Sequence, residues 1–455
     1  MEMTVGEIVS ACGGRLLCGD PAARVTSFVA DSREAGPGSL FVPLVGEKTD
    51  AHAYLEKAFA SGAAAAFTQE HTQAEGPGAW IAVDDTRLAL QKTAAAWRGR
   101  FAGPVVGVTG SVGKTTTKEM VALALSGGMR VLKTEGNQNS QIGLPLTVFR
   151  LSPGYDAAVL EMGMSEFGEM SRIAAVAAPD DAVVTNIGLS HIGNLGSQQN
   201  IRSEKLHITD RFHSGSVLFL NGDAPLLAEL RGGFPFETVY FGTRPWCDFR
   251  AERVECGRES SSFRFVSRSG QSGEVHLPVP GMHCVLDALA GLAVAEKLGV
   301  PLGEAARALR TYRPLAMRMQ IKKVRGFTLI DDSYNSSPDA ARSSIDVLCG
   351  FSGGRRFAVL ADMLELGGYS ERAHFELGGY AAKAGVEVLL TVGPQARAVA
   401  DGFRSALPRG ECHSCGTNAE AAELLLRSLR PGDAVLVKGS RSMRTDEIVR
   451  RLLAG

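Results

Sequence analysis

Val105-Val106-Gly107-Val108-Thr109-Gly110-Ser111-Val112-Gly113-Lys114-Thr115-Thr116 decides how the rest of this 455-residue chain is read. Gly103-Pro104 marks a turn, Val105 to Val108 is a short apolar run, and the glycine-rich stretch leads into a helical pattern over Thr115 to Leu125. The order expected is strand, loop, helix. Such a loop suits phosphate. Glycines let the backbone wrap so that several N–H groups converge, and the helix N-terminus adds the positive end of its dipole. Lys114 is placed to neutralise phosphate charge, and the Thr115 hydroxyl to bind Mg²⁺. Thr109, Gly110, Ser111, Val112, Gly113, Lys114, Thr115 and Thr116 are therefore candidate nucleotide-binding residues. The general form of this loop has a glycine where the chain carries Val108, and Gly110 takes the early glycine's place.

Working outward, further short apolar runs bounded by turn residues lie at Ala157 to Leu160, Ala182 to Thr185 and Val217 to Leu220, and read as buried parallel strands. Alternation of such runs with helical stretches predicts a doubly wound α/β sheet. The pattern restarts near Tyr312-Arg313-Pro314, with strand candidates at Phe327 to Ile330, Phe357 to Leu360, Val386 to Val392 and Ala434 to Val437. Before the loop, Ser39 to Leu44 reads as extended, His52 to Ala60 and Leu88 to Trp97 as helical, and Ala63 to Ala66 as a tightly packed helix or strand end. The fold expected is α/β with three domains. A small N-terminal α/β substrate domain spans 1–102, a central P-loop ATPase-like parallel-sheet domain 103–313, and a C-terminal Rossmann-like α/β domain 314–455.

Composition narrows the partners. With 48 Lys plus Arg against 49 Asp plus Glu, the net charge is −1, which provides no field for holding a polyanion, so nucleic acid is not expected. No apolar run approaches a membrane span, and Met1-Glu2-Met3-Thr4 carries neither the basic nor the apolar part of an export signal. A cytoplasmic location and eight reduced cysteines are expected, with Cys412-His413-Ser414-Cys415 read as an incidental surface pair.

Two more segments carry polar groups at strand ends, where α/β sheets bind ligands. Glu161 closes Asp156-Ala157-Ala158-Val159-Leu160-Glu161 and is a credible Mg²⁺ ligand, and His191 ends Thr185-Asn186-Ile187-Gly188-Leu189-Ser190-His191. Taken singly, each is also compatible with a structural role.

These motifs resemble those of the Mur ligases, whose loop has the form TGxxGKTT and whose next strands are followed by an acid and by NxGxxH. The similarity extends to Ile201-Arg202-Ser203-Glu204-Lys205-Leu206-His207-Ile208, where the family writes IAxAKxEI, with Glu204 and His207 in place of alanine and glutamate. Lys205 falls on the lysine that the family carbamylates with CO₂ to make a metal ligand. The resemblance thus implies Thr115, Glu161, His191 and carbamylated Lys205 as the Mg²⁺ set, with Lys114 beside them in catalysis. Asp31-Ser32-Arg33 and Gly46-Glu47-Lys48-Thr49-Asp50-Ala51-His52 resemble the branch of the family that acts on a tripeptide substrate. That similarity implies Ser32, Arg33, Asp50 and His52 in holding the UDP end. Thr134 to Pro145 looks like that branch's TxGNxNNxIGxP loop, implying Asn137 and Asn139 as substrate-binding residues, with Ser140 replacing one asparagine.

In the last third, Asp331-Asp332-Ser333-Tyr334-Asn335-Ser336-Ser337-Pro338, Asp362 to Gly367 and Lys438-Gly439-Ser440-Arg441 are similar to DDSYNANP, DMLELG and KGSR. The resemblance implies a domain that closes on ATP, with Arg318 on phosphate and Asp332 on the ribose side. One region departs. Where the family has GxHNxxNALAA, the chain has Cys284 and Asp287 in place of the two asparagines. The implied activity is ATP-dependent ligation of D-alanyl-D-alanine to UDP-MurNAc-tripeptide through an acyl phosphate, by an enzyme expected to be a monomer. A sibling ligase adding a single amino acid and a P-loop nucleotide switch that ligates nothing are the alternatives.

Overall fold

The computed structural model of the chain describes residues 1–46, 49–74 and 76–455. Glu47 and Lys48 of the quoted 46–52 stretch lie outside the described residues.

Near the N-terminus, five strands run in the order Arg15–Cys18, Ala79–Ala82, Ala65–Thr68, Ser39–Phe41, Ser27–Val29. The first is antiparallel to its neighbour and the others are parallel. The alanine run ends in the strand Ala65–Thr68, all four residues of which are buried. The helical stretch from His52 divides into a short 3₁₀ turn, Ala51–Tyr54, and the helix Leu55–Ala60. The helix Thr86–Arg98 starts at Asp85, whose carboxylate accepts the Leu88 N–H at 2.8 Å. It ends in Arg98, which docks this region onto the central sheet. The guanidinium donates to the Ala177 carbonyl at 2.8 Å and to Asp180 Oδ2 at 2.8 Å, and the same carboxylate oxygen accepts the Val105 N–H at 2.7 Å.

The central sheet has nine strands. Seven are parallel, in the order Val131–Lys133, Ala157–Glu161, Val105–Thr109, Asp181–Val184, Val217–Asn221, Glu237–Gly242, Phe249–Cys256. Helices cover both faces, so the strands Val105–Thr109, Ala157–Glu161, Asp181–Val184 and Val217–Asn221 are buried at every position. This is why they read as unbroken apolar runs instead of alternating. The sequence reading did not anticipate the antiparallel ribbon Ser261–Val266 and Ser272–Leu277 that extends one edge. Its one-sided burial, with Phe263 and Phe265 inward, is marked by alternation instead of a run. Beneath the sheet, the phosphate-loop helix Lys114–Leu125 packs on the helix Met282–Lys297. A Cβ at Gly291 would lie 2.9 Å from the Met120 carbonyl, so only glycine permits that approach.

Register aligns the functional ends. Glu161 pairs with Val108 and Val184 with Thr109, so the three loops that follow these strands open at one edge, where the strand order switches direction.

The C-terminal sheet runs Gln320–Val324, Phe327–Asp331, Ala434–Lys438, Arg356–Ala361, Val388–Val392, Glu411–Cys415, with the first strand antiparallel and the rest parallel. The two edge strands escaped the sequence reading because their solvent-facing positions are polar. Cys412 and Cys415 sit in one of them. Cys415 is buried, so the expectation of a surface pair does not hold for it, since residues three apart in a strand face opposite sides. All eight cysteines are free thiols, and among the described residues no helix is long and apolar enough to cross a membrane.

Candidate active site

The phosphate loop is held open by its neighbours. Gly110 has φ +152°, and a Cβ there would lie 1.9 Å from Thr185 Oγ1, so the position excludes every other residue. Thr185 Oγ1 donates to the Val112 carbonyl, Asn186 Oδ1 accepts the Val112 N–H at 2.8 Å, and the Asn186 carbonyl accepts the Ser111 N–H at 3.0 Å. Gly113, with φ +85°, turns the chain into the helix. Thr185 and Asn186 are thus positioning residues for the loop, a role their place at a strand end hinted at without assigning.

Lys114 Nζ curls onto the loop, donating to the Gly110 carbonyl at 2.8 Å and the Ser111 carbonyl at 3.4 Å. Burial holds this ammonium below its ordinary range, with Glu161 and Glu365 opposing the shift and Arg318 reinforcing it. Those partners come from the central and C-terminal sheets alike, so the lysine stands where the two meet.

Glu161 is 2 % exposed. Its Oε1 accepts the Asn139 amide at 2.6 Å, while Oε2 is buried with no partner among the described residues. An unsatisfied buried carboxylate oxygen is costly, and a cation is the natural partner for one. Lys205, on the helix Gln198–Leu206, is wholly buried, and its Nζ too has no partner among the described residues. Burial, joined by repulsion from Lys114, pushes it well below the ordinary lysine range, and Glu204 opposes this only weakly. Burial and that repulsion both favour the neutral amine, the form that reacts with CO₂. The unpartnered carboxylate oxygen of Glu161 and the buried Thr115 hydroxyl are oxygen donors that fit Mg²⁺, and Lys205 would add a further one only as a carbamate.

Glu204, the departure before Lys205, has a separate structural task. Its two oxygens accept the Gly168 and Met170 N–H groups at 3.0 and 2.9 Å, capping the helix Glu169–Ala177. Replacing Glu204 with alanine leaves both donors without this acceptor, that of Met170 fully buried and that of Gly168 partly so. Stability should fall by about 1–2 kcal/mol, measured as a lower urea midpoint, with part recovered in Glu204→Gln.

His191 has φ +64° and begins the helix Ile192–Leu195. Its Nδ1 lies 2.7 Å from Glu365 Oε2, without the alignment of a hydrogen bond. Glu365 also has a left-handed backbone, φ +65°, and its carbonyl accepts the Gly193 N–H at 3.1 Å. Two strained residues therefore face each other across the junction of the central and C-terminal sheets.

From the C-terminal side, Arg318 stands between Met317 and Met319, both with positive φ, and its guanidinium stacks 4.1 Å from the centre of the Tyr334 ring. Asp332 accepts from Lys438, from Ser344 Oγ at 2.7 Å and from the Met319 N–H at 3.1 Å, so it orients Lys438 as well as facing the cleft. Sequence reasoning did not name Glu365 or Lys438 individually, because each acquires its neighbours only through packing.

The phosphate loop, Glu161, His191, Asn139, Arg318 and Asp332 line one cavity of about 640 Å³, with Asn137 at its rim. Lys205 lies buried outside the lining. Ser32, Arg33, Asp50 and His52 do not reach this cavity. Asp31 caps the turn Ser32–Glu34 and pairs with the exposed Arg33. His52 is buried, with Nδ1 2.6 Å from Asp50 Oδ1 and Nε2 accepting the Gln69 N–H at 3.3 Å, so both ring nitrogens are engaged in holding a loop.

Fold and site together define a P-loop nucleotide-dependent enzyme whose phosphate site is covered by a second α/β domain. Comparison with known proteins is more specific. Residues 108–295 match the Mur ligase middle domain and residues 317–441 the Mur ligase glutamate ligase domain. UDP-N-acetylmuramoyl-tripeptide–D-alanyl-D-alanine ligase of Bacillus subtilis (strain 168) is 35% identical over 457 aligned residues, covering 100% of this chain and 99% of the relative. The crystal structure I of MurF from Acinetobacter baumannii superposes with a TM-score of 0.92 at 29% identity, over 100% of this chain and 99% of that one. A MurF ligase from Thermotoga maritima in complex with ADP gives 0.84 at 28% identity, over 94% of this chain and 96% of that one. The chain belongs to the Mur ligase family.

Proposed function

We propose that this enzyme joins D-alanyl-D-alanine to UDP-MurNAc-tripeptide with hydrolysis of ATP to ADP and phosphate, as the names of its full-length relatives indicate. The observation that carries the chemistry is the convergence of a phosphate loop and a buried carboxylate with one oxygen unpartnered among the described residues at one cavity, with the wholly buried Lys205 outside its lining. A carboxylate is a poor acyl donor at neutral pH. ATP first phosphorylates the tripeptide carboxylate to an acyl phosphate, and the dipeptide amine then attacks the carbonyl carbon through a tetrahedral intermediate before phosphate leaves.

The chain's own groups act by position and charge. Loop N–H groups and Lys114 hold the transferring phosphoryl group, and Arg318 meets it from the other side. Mg²⁺, held by Thr115 and Glu161 at one position and by His191 and carbamylated Lys205 at a second, would neutralise charge developing on phosphoryl oxygens. Residues 1–102 hold the UDP end, 103–313 the phosphates and metal, and 314–455 close over ATP, with Asp332 on the ribose side. Asn139 keeps Glu161 in place, and Asn137 meets substrate at the rim. The use of ATP supports work in the cytoplasm.

Phosphate release should require both UDP-MurNAc-tripeptide and D-Ala-D-Ala, and mass spectrometry should find the pentapeptide product. Use of UDP-MurNAc-dipeptide with a free amino acid in preference to these would move the assignment to a sibling ligase. Nucleotide hydrolysis indifferent to both substrates would favour a switch.

A further inference from the structure

The two departures from the family pattern, Cys284 and Asp287, lie one turn apart on the helix Met282–Lys297 and both line the nucleotide cavity. Asp287 is the consequential one. It is 7 % exposed, and Thr117 of the phosphate-loop helix donates to its Oδ1 at 2.5 Å. The same oxygen is 3.5 Å from where a Cβ on Gly113 would sit, so the carboxyl lies directly under the turn that cradles phosphate. Oδ2 has no hydrogen-bond partner among the described residues.

We propose that Asp287 is a nucleotide-binding residue that takes up a proton as the nucleotide enters, presenting a carboxylic acid O–H where the family pattern has an asparagine amide. The inference rests on the nucleotide reading of the cavity. Among the described residues no cation is paired with a carboxylate in this place: of the cations lining the cavity, Arg318 stacks on Tyr334 and Lys438 is paired with Asp332. From the loop helix the facing group is the neutral Thr117, while Lys114 turns to the Gly110 carbonyl and Lys118 to the Thr134 carbonyl and Glu119. On its own helix is the Cys284 thiol, pushed well above its usual range by burial, and beside it is the Tyr312 phenol, likewise pushed up by burial. Both remain neutral near pH 7, and Asp332 and Glu119 add only negative charge around them. Burial raises the Asp287 carboxyl to about 7 before any ligand arrives. A polyphosphate then brings further negative charge and removes water, and both favour the protonated acid. In that form the group has the donor and acceptor of an amide.

The sign follows from linkage. If the bound form holds its proton more tightly than the free form, affinity is constant below the free-state value and falls as pH rises through it, by at most about tenfold per pH unit. The decline stops above the bound-state value. Calorimetric titration of the full-length protein with ADP and excess Mg²⁺, between pH 7 and 8.5 in two buffers of different ionisation enthalpy, measures protons taken up per ADP. Wild type should take up a substantial fraction of one proton more than Asp287→Asn, and the variant should lose the corresponding fall in affinity with pH. Subtracting the variant removes the titrations of ADP and of every other group. Equal uptake by the two proteins overturns the proposal while leaving nucleotide binding intact. Absence of binding by both overturns the nucleotide reading itself and this proposal with it.

Discussion

Lys114→Ala should abolish ligation, lowering kcat by on the order of 10³-fold or more, while circular dichroism and the unfolding midpoint stay close to those of wild type. The side chain supports no core. Its two hydrogen bonds go to carbonyls of its own loop, which remain reachable by water when the ammonium is gone. Its energetic value lies elsewhere, in charge. Burial and Arg318 weaken the proton's hold in the empty cleft, a cost that arriving phosphoryl oxygens reverse, most strongly when charge is spread over the transferring group. An interaction stronger in the transition state than in the ground state appears in kcat and not only in KM. Lys114→Arg should recover little, because a planar fork does not replace a point charge in a loop this close. Near-normal turnover by a folded Lys114→Ala protein would overturn the phosphate-loop assignment.

Lys205→Ala should be nearly as damaging, by on the order of 10²- to 10³-fold, and it should be rescued in part by formate or acetate. The wholly buried amine makes no hydrogen bond among the described residues, and burial disfavours its charged form. Such a group contributes nothing to the fold that repays its burial, whereas its carbamate would supply an anion facing the metal. Removing the side chain leaves a space that a small carboxylate can enter. Lys205→Arg fills that space with a fixed positive charge and should resist rescue. Stripping CO₂ from the wild type should lower activity, and bicarbonate should restore it. Full activity of Lys205→Ala without any added carboxylate would leave Thr115, Glu161 and His191 to hold the metal with water.

Much of this was open to sequence reading because the relevant signals are local. The phosphate loop is contiguous, its strand is apolar at successive positions because both faces are covered, and its glycines answer to backbone demands that can be read one residue at a time, as at Gly110. The same holds for Glu161, placed by strand length alone at the ligand-binding edge. Where burial is one-sided the signal weakens, and the ribbon Ser261–Leu277 and the edge strands Gln320–Val324 and Glu411–Cys415 passed unnoticed for that reason.

By itself, then, the sequence determined the alternation of buried strands with helices, the phosphate-binding turn and the set of chemically able side chains. Tertiary structure decided which of them meet. Strand register set Glu161 beside Val108, and domain packing brought Glu365 to His191 and Arg318 within the field of Lys114, across separations in sequence that no local pattern encodes. It also decided protonation. Lys205 and Asp287 are an ordinary base and an ordinary acid in sequence, and only exclusion of water around them pushes the first well below its usual range and raises the second to about 7. Solvation is a property of the whole packed surroundings, so it is settled only once the chain has folded.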